Sequence, residues 1–503
     1  MWDNIRVAIT LMFQWQSVLA MTIGVAVGIC IGALPGLSAT MGVALVIPLT
    51  FAMPPEVGLL LIAGIYNGAI YGGSITALLI RVPGTPASCA TIFDGYPMTQ
   101  KGQANAALEV AISSSVFGGV ISALALLFIA PPLAEFSLAF GPPEYFWLAV
   151  FGLTIIVSLA SESMVKGLLS GCLGLFVGMI GQDPVTARVR FTFGIPDLLG
   201  GVELVTMLIG LFSIPQALAM LENKLQSLTL DMANDVEQEK SPPMFHLFGE
   251  LWRTYVRSSI IGTVIGVIPG AGANIASYIG YSEARRNSKN PELFGTGIPE
   301  GVAASEAANN AVTGGSLIPL LTLGIPGNAV SAIVLGGLMI HGLTVGPQLF
   351  TDNADIVYTF MLGMLFTNLI MLFFGYYGAR VFVNVIRIPN NVLAPLVIVL
   401  SVIGAFAIRN SMFDVGIMLF FGLVGYLMEK FAYPLAPAVL AVILGPMAES
   451  NLRRTMLMGR GSIRPLFTRP ICWVLIVLTV VSLAIPFMRR FKKGKGREGS
   501  LAN

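Results

Sequence analysis

Long apolar stretches, cut by short polar punctuation, run through almost the whole chain. No Asp, Glu, Lys or Arg occurs from Val7 to Pro55, from Val57 to Ile80, or from Ala307 to Thr351. About 20 apolar residues cross a bilayer as one helix, so the first and last of these stretches hold more than one. The last is a poor lipid-facing helix, because Asn309, Asn310, Thr313, Gly314, Gly315, Ser316 and Asn328 interrupt its apolar surface and Pro326-Gly327 breaks it. Broken backbone at membrane depth survives only inside protein or beside a watery cavity. The pattern therefore predicts two half-helices that meet at a polar tip, Ile325-Pro326-Gly327-Asn328.

The same device stands earlier in the chain. Asn67-Gly68-Ala69-Ile70-Tyr71-Gly72-Gly73-Ser74 lines up with Asn309-Asn310-Ala311-Val312-Thr313-Gly314-Gly315-Ser316. After one inserted residue, Val82-Pro83-Gly84-Thr85 lines up with Ile325-Pro326-Gly327-Asn328, and Arg81 falls opposite Leu323. Upstream, Gly32-Ala33-Leu34-Pro35-Gly36-Leu37-Ser38-Ala39 matches Gly266-Val267-Ile268-Pro269-Gly270-Ala271-Gly272-Ala273. Two motifs in the same order in each half read as an internal duplication, and matched Gly/Pro breaks are the best sequence pointer to a transporter site.

The remaining pattern fills in an all-α polytopic membrane protein with two structural repeats, broken helices or re-entrant hairpins, and about 12 spans. Residues 1–16 read as an interfacial helix with Trp2 and Trp15 as headgroup anchors. Residues 17–220 form the first membrane half, with spans near 104–132, 144–160, 164–181 and 199–220. Pro131-Pro132 and Pro142-Pro143 bracket a turn, and Gln182–Arg190 is a loop. Residues 221–257 are a hydrophilic connector. Residues 258–450 form the second half, with spans near 355–379, 391–408, 411–428 and 434–446. A basic loop and a last span near 471–487 fill 451–488, and 489–503 is a basic tail. The tail points to a cytoplasmic C-terminus by the positive-inside rule. The loop before the last span is basic too, through Arg453, Arg454, Arg460, Arg464 and Arg469, and pulls the other way.

Composition agrees with the pattern. Of 503 residues, 55% are hydrophobic and 11% charged. Soluble domains carry about 25% charged residues. The net charge of +2 is not gathered on one face, which gives no reason to expect nucleic acid. The four cysteines sit in or beside apolar runs without a CxxC pair, and the two histidines, His246 and His341, have no ligand-spaced partner. No transition-metal site is expected. No basic n-region followed by a small-residue cleavage site opens the chain, so the first apolar run reads as a mature span.

Candidate chemistry follows from the breaks. A half-helix starting after a Pro-Gly break presents unpaired N–H groups and the positive end of its dipole, which attract an anion, above all a carboxylate. Gly84, Thr85, Ser88, Gly327 and Asn328 stand at two such breaks, and Ser38 and Asn274 follow the other two. All seven are candidates for substrate binding, the alternative being kinks that only let helices pack closely. Arg81 is either a guanidinium for a substrate carboxylate or a snorkelling surface residue. Asn67 and Ser74 share one helical face, as do Asn309 and Ser316. They read either as oxygen ligands for Na⁺ or as interhelical hydrogen bonds. Glu300 and Glu306 flank the second hairpin as candidate proton carriers, Glu300 reading rather as a solvated loop residue.

These residues resemble a known family. GALPGLSA (32–39), NGAIYGGSITALLIRVPGTPAS (67–88), DGYPMTQKGQA (94–104), GVIPGAGANIA (266–276) and NNAVTGGSLIPLLTLGIPGNA (309–329) are similar to the large membrane subunit of tripartite tricarboxylate transporters, the TctA family. The resemblance runs from about residue 15 to residue 450. It implies a secondary transporter of the bacterial inner membrane, taking up di- or tricarboxylates such as citrate and driven by Na⁺ or H⁺. It implies a small membrane subunit (TctB-like) and a periplasmic solute-binding protein (TctC-like) as partners. It also implies inverted repeats and an elevator-like or rocking movement. The alternatives are a stand-alone carboxylate carrier or a channel without a binding protein. A membrane-embedded enzyme is disfavoured, since HExxH, GxSxG and paired intramembrane Asp are all missing from the sequence.

Overall fold

The computed structural model describes residues 2–34, 36–159, 164–183, 186–222, 244–383 and 390–498. Pro35, most of the expected connector and the end of the tail lie outside the described residues. The described residues are almost entirely helical. In chain order the helices are α1 (Trp2–Met12), α2 (Trp15–Ala33), α3 (Ala39–Thr50), α4 (Pro55–Ile80), α5 (Ile92–Gln100) and α6 (Ala104–Ser137). Then come α7 (Pro142–Leu159), α8 (Met164–Gly178), α9 (Leu204–Glu222), α10 (Met244–Val267), α11 (Gly272–Asn287), α12 (Pro299–Leu323), α13 (Ala329–Ile340) and α14 (Leu349–Asp352). The last are α15 (Ala354–Val383), α16 (Asn390–Arg409), α17 (Met412–Lys430), α18 (Leu435–Met458), α19 (Pro465–Thr468) and α20 (Pro470–Glu498). Among the described residues, eight helices are long and apolar enough to cross a membrane. Shorter apolar helices cover Ala39–Thr50, Met164–Gly178, Ala329–Ile340 and Pro470–Ala484.

Several boundaries differ from the sequence pattern. Helix α6 runs through Pro131-Pro132 to Ser137, because an apolar surrounding offers freed carbonyls nothing better than the next helical turn. The loop expected over Gln182–Arg190 carries a two-residue antiparallel ladder, Gly181↔Arg190 and Gln182↔Val189. The last part of the expected connector is already helix α10, and α18 continues to Met458 into the expected basic loop. Helix α20 continues past the expected end of the last span to Glu498.

The chain folds as two compact units, 1–135 with 205–426, and 136–204 with 427–503. These do not coincide with the two sequence halves, since each half contributes to both. In the smaller unit, α18 packs on α7 and α8, and α20 on α7. Several of its charges are paired: Arg469 bonds Glu144 at 2.9 Å, and Arg453 bonds Asp183 at 2.6 Å and Glu449 at 2.7 Å. Two arginines of the basic stretch are thus held by acids.

The larger unit is built around α4 and α12. Helix α4 is buried continuously from Val57 to Leu78 and α12 from Gly301 to Thr322, although both carry amides and hydroxyls. Their immediate neighbours, α2 and α10, reach them by glycine. A Cβ on Gly24, Gly28 or Gly32 would lie 2.5, 2.6 or 2.1 Å from the carbonyl oxygen of Leu61, Ile65 or Ala69. Facing them, a Cβ on Gly64, Gly68 or Gly72 would lie 2.8, 2.5 or 2.4 Å from the carbonyl oxygen of Met21, Val25 or Ile29. The two rows interlock, and small-residue rows are the usual means of bringing membrane helices into backbone contact. Helix α10 meets α12 likewise, through Gly262 against Ala308 and Gly315 against Thr263.

Asp94 fastens α5 to the loop that leads into α12. Its carboxylate is fully buried, and its Oδ1 accepts the N–H groups of Gly295 and Gly297 at 2.8 Å and of Ile298 at 3.0 Å. Tyr281 of α11 donates its hydroxyl to Oδ2 at 2.8 Å, and burial beside that carboxylate holds the phenol well above its ordinary pKa, so it stays a donor. Asp94→Ala strands three amides, at about 1–3 kcal/mol for each buried group left unpaired. The expected outcome is failure to recover monodisperse protein. Gly28→Ala, which presses a methyl onto a carbonyl, is expected to cost about 1–3 kcal/mol, read as a lowered thermal midpoint in detergent.

Candidate functional site

The broken backbone lies where two helices of the larger unit end. Helix α4 stops at Ile80 and Arg81 closes it in the left-handed region, with φ of 59°. Val82-Pro83-Gly84 then turn, and Thr85 opens the short 3₁₀ turn Pro86–Ser88. Helix α12 stops at Leu323 and Gly324 closes it, with φ of 73°. Ile325-Pro326-Gly327 turn, and Asn328 caps α13 through a reciprocal box with Ser331, the side-chain oxygen accepting Ser331 N–H at 2.8 Å and Ser331 Oγ accepting Asn328 N–H at 2.9 Å.

Each tip rests on its own helix and on the glycine-bearing helix before it. Gly84 donates its N–H to Gly73 O at 3.1 Å, and Gly327 donates to Ser316 O at 3.3 Å. A Cβ on Gly84 would lie 2.0 Å from Gly32 O, and one on Gly327 would lie 2.3 Å from Gly266 O. Gly270 N–H donates to Gly327 O at 2.8 Å, so the upstream break in the second half touches the downstream one. These contacts correct the register read from the letters. They match Gly72 to Gly315, Gly73 to Ser316 and Arg81 to Gly324, and no residue need be inserted. Arg81 thus stands where the other hairpin has a glycine suited to the same backbone conformation.

Helices α4 and α12 run antiparallel past one another. Near the start of their contact, Tyr66 OH bonds Ser316 Oγ at 3.1 Å and accepts Asn328 Nδ2 at 2.8 Å. Two turns further along α4, Ser74 stands beside Glu306 of α12 instead, where Thr91 also reaches that helix. Thr91 Oγ1 lies 3.1 Å from Ser305 Oγ and also bonds Glu306 Oε1. Ser74 stands beside the same carboxylate and bonds Ser88 Oγ at 3.1 Å, which also bonds Thr85 Oγ1 at 3.2 Å. Ser115 of α6 donates to Glu306 Oε2 at 3.0 Å and accepts Asn310 Nδ2 at 2.9 Å. The two polar clusters, one at each tip, lie about 12 Å apart along α4 at the usual helical rise.

The sequence candidates fall into three groups. Thr85, Ser88, Ser74 and Gly84 gather at the first tip, with Asn309 beside Glu306. Asn328, Gly327 and Ser316 gather at the second. The rest stand apart. Asn67 turns to α15, its Nδ2 donating to Met364 O at 3.1 Å and Thr367 Oγ1 at 2.8 Å. Ser38 caps α3 by accepting Met41 N–H at 3.1 Å. Asn274 is exposed, and Arg81 is exposed and stacked over Tyr96 at 5.8 Å. Glu300 is not in a loop: it opens α12 and accepts Thr254 at 3.1 Å and Ser288 at 2.6 Å. The amides of Gly84, Ser88, Gly327 and Asn328 are already hydrogen-bonded within the chain. The free polar capacity of the site lies in side chains. Asn309 is fully buried with neither end of its amide bonded, and Asn67 Oδ1 and Asn310 Oδ1 are likewise without partners.

Sequence reasoning missed Tyr66, Thr91 and Ser115. Tyr66 adjoins Asn67, and the contact register places it opposite Asn309, a signal the one-residue slip concealed. Thr91 and Ser115 lie outside both matched motifs.

The model of the Tripartite tricarboxylate transporter TctA family matches residues 18–440. The chain belongs to the TctA family. Among relatives, an "Uncharacterized 52.8 kDa protein in TAR-I ttuC' 3'region" of Agrobacterium vitis is 36% identical over 467 residues, 93% of this chain and 92% of the relative. An "Uncharacterized protein in TAR-II ttuC' 3'region" of the same organism is 36% identical over 227 residues, 45% of this chain and 94% of the relative. No solved structure matches. Membership fixes this as a component of a transporter family, with many helices fit to cross a membrane.

For this TctA-family chain, Tyr66→Phe removes the hydroxyl that joins the second tip to α4 and leaves Asn328 Nδ2 unpaired. The expected loss is about 1–2 kcal/mol of stability, read by thermal unfolding, with Tyr66→Ala costing more.

Proposed function

We propose that this protein is the large transmembrane subunit of a binding-protein-dependent secondary transporter that takes up di- or tricarboxylates such as citrate by alternating access. The observation that carries the reading is the pair of broken hairpins, α4 with its tip and α12 with its tip and α13, crossing antiparallel with hydroxyl and amide groups buried between them. The matched glycine contacts support reading them as an inverted pair of repeats. Inverted broken helices at a repeat interface are the recurring design of secondary transporters.

Thr85, Ser88 and Asn328 supply hydroxyl and amide groups for solute carboxylates, with Gly84 and Gly327 allowing the backbone close. Arg81, Ser38 and Asn274 stand outside the two tip clusters and are weaker members of the set. Asn309 and Ser74 at one tip and Ser316 at the other are placed to give oxygen ligands to a coupling cation, and Asn67 keeps a free amide oxygen. The solute is delivered by a periplasmic binding protein, and a small membrane subunit completes the complex in the bacterial inner membrane.

Proteoliposomes holding the chain with both partner subunits, given the binding protein outside, should accumulate a di- or tricarboxylate when a Na⁺ or proton gradient is imposed. Gly327→Ala, which forces a methyl against Gly266 O, should abolish accumulation. Accumulation without the binding protein identifies a stand-alone carrier, non-saturable flux identifies a channel, and no carboxylate movement under either gradient overturns the proposal.

A further inference from the structure

Glu306 is the charge this architecture has least reason to keep. Its side chain is fully buried two turns into α12, and among the described residues no Lys, Arg or His forms an ion pair with it. By the contact register its match in α4 is Ala63, also fully buried, so the second hairpin does not need an acid there to pack. An isolated carboxylate in such a place either takes a proton or holds a cation.

We propose that Glu306 is a proton-binding site and that its protonation is coupled to solute movement. The second half of this statement rests on the transport reading above; the first stands without it. The hydrogen-bond network has an arrangement that accommodates the neutral acid. Ser305 Oγ donates to Gly301 O and Val302 O, both at 3.0 Å, so its oxygen is free to accept from Thr91. With the acid neutral, Thr91 can turn its hydrogen to Ser305 and accept from Glu306 Oε1; with the acid ionised, Thr91 donates to Oε1. On the other side, Asn310 donates to Ser115 and Ser115 donates to Glu306 Oε2, which needs no further partner. When the acid ionises, Thr91 turns its hydrogen toward Oε1, and the carboxylate acquires room for one more donor.

Asn309 supplies that donor. It is wholly buried and within a donor's reach of the Glu306 carboxyl, with no hydrogen bond of good geometry at either end of its amide. An amide N–H next to a carboxylate bonds it; next to a neutral acid already engaged on both oxygens it has nothing to bond. Asn309 is thus the group that registers whether the proton is present. Ser74 touches the carboxyl from the first hairpin and bonds Ser88 of the first tip, so loss of the proton is felt at the candidate solute-binding turn without a long relay.

The other titratable groups on neighbouring elements are occupied or too weakly acidic to take this role. Tyr71 of α4 lies within electrostatic reach of Glu306, a fully buried phenol without a hydrogen-bond partner. Tyr66 bonds Ser316 and Asn328, Asp94 of α5 bonds Tyr281 of α11, and Tyr255 of α10 bonds Ser113 of α6 at 2.8 Å. Cys89 follows the first tip and is half-buried.

Two measurements on the full chain test the proposal. In purified protein, infrared spectra across a pH titration should show the C=O stretch of a protonated carboxylic acid that shifts in D₂O and vanishes in Glu306→Gln. Asn309→Asp should displace the titration that this band follows. Absence of the band from the wild type, or its persistence unchanged in Glu306→Gln, overturns the site. In proteoliposomes with its partners, wild-type accumulation should follow a proton gradient, and Glu306→Gln should lose both that accumulation and its pH dependence. Wild-type uptake that follows Na⁺ alone and ignores pH, or proton-driven uptake surviving in Glu306→Gln, overturns the coupling. If the wild type moves no carboxylate at all, the transport reading fails, while the infrared result still decides whether Glu306 holds a proton.

Discussion

Backbone-to-backbone contact through glycine is the constraint on which this structure depends. A polypeptide that breaks its helices inside an apolar medium exposes amides and carbonyls that water cannot reach. Here those groups are satisfied by neighbours close enough to touch: Gly84 N–H by Gly73, Gly327 N–H by Ser316, and Gly270 N–H by Gly327 itself. Neither Gly84 nor Gly327 has room for a side chain, as the 2.0 Å and 2.3 Å distances from imagined methyls to Gly32 O and Gly266 O show. The interlocked glycine rows of α2 and α4 do the same over a longer distance. Gly84 and Gly327 are therefore part of the packed interior.

Much of this was legible in the sequence. The breaks at Pro83-Gly84 and Pro326-Gly327 are visible as Pro-Gly pairs in uncharged runs, and helix ends fall beside both. The polar faces of α4 and α12 were equally plain. Register was not, because two adjacent glycines, Gly72-Gly73 and Gly314-Gly315, invite alignment with each other, while the packing sets Gly73 against Ser316. The division into compact units was also hidden, since residues 136–204 and 427–503 associate across a separation that periodicity does not report.

The site residues show the same limit more sharply. Asn309 and Ser74 could be named from their isolation in apolar runs. Their neighbours Thr91 and Ser115 could not, because a threonine after a turn and a serine within Ser113-Ser114-Ser115 look like ordinary loop and helix residues. Glu306 was visible as an acid at the edge of an uncharged stretch, and its depth was not. It lies two turns inside α12, whose first turn holds Glu300. Ser38 and Asn274, by contrast, carry the right chemistry at the right kind of break, yet one is committed to a helix cap and the other faces outward.

Asp94 bears on how the molecule can move. By accepting three amides from the stretch just ahead of α12 and the hydroxyl of Tyr281 from α11, this carboxylate ties the helix after the first hairpin to the entry of the second. Hinging the hairpins apart would tear a buried anion from every donor it has. Under the proposed transport reading, that tie is the contact a movement separating the two arms would have to break.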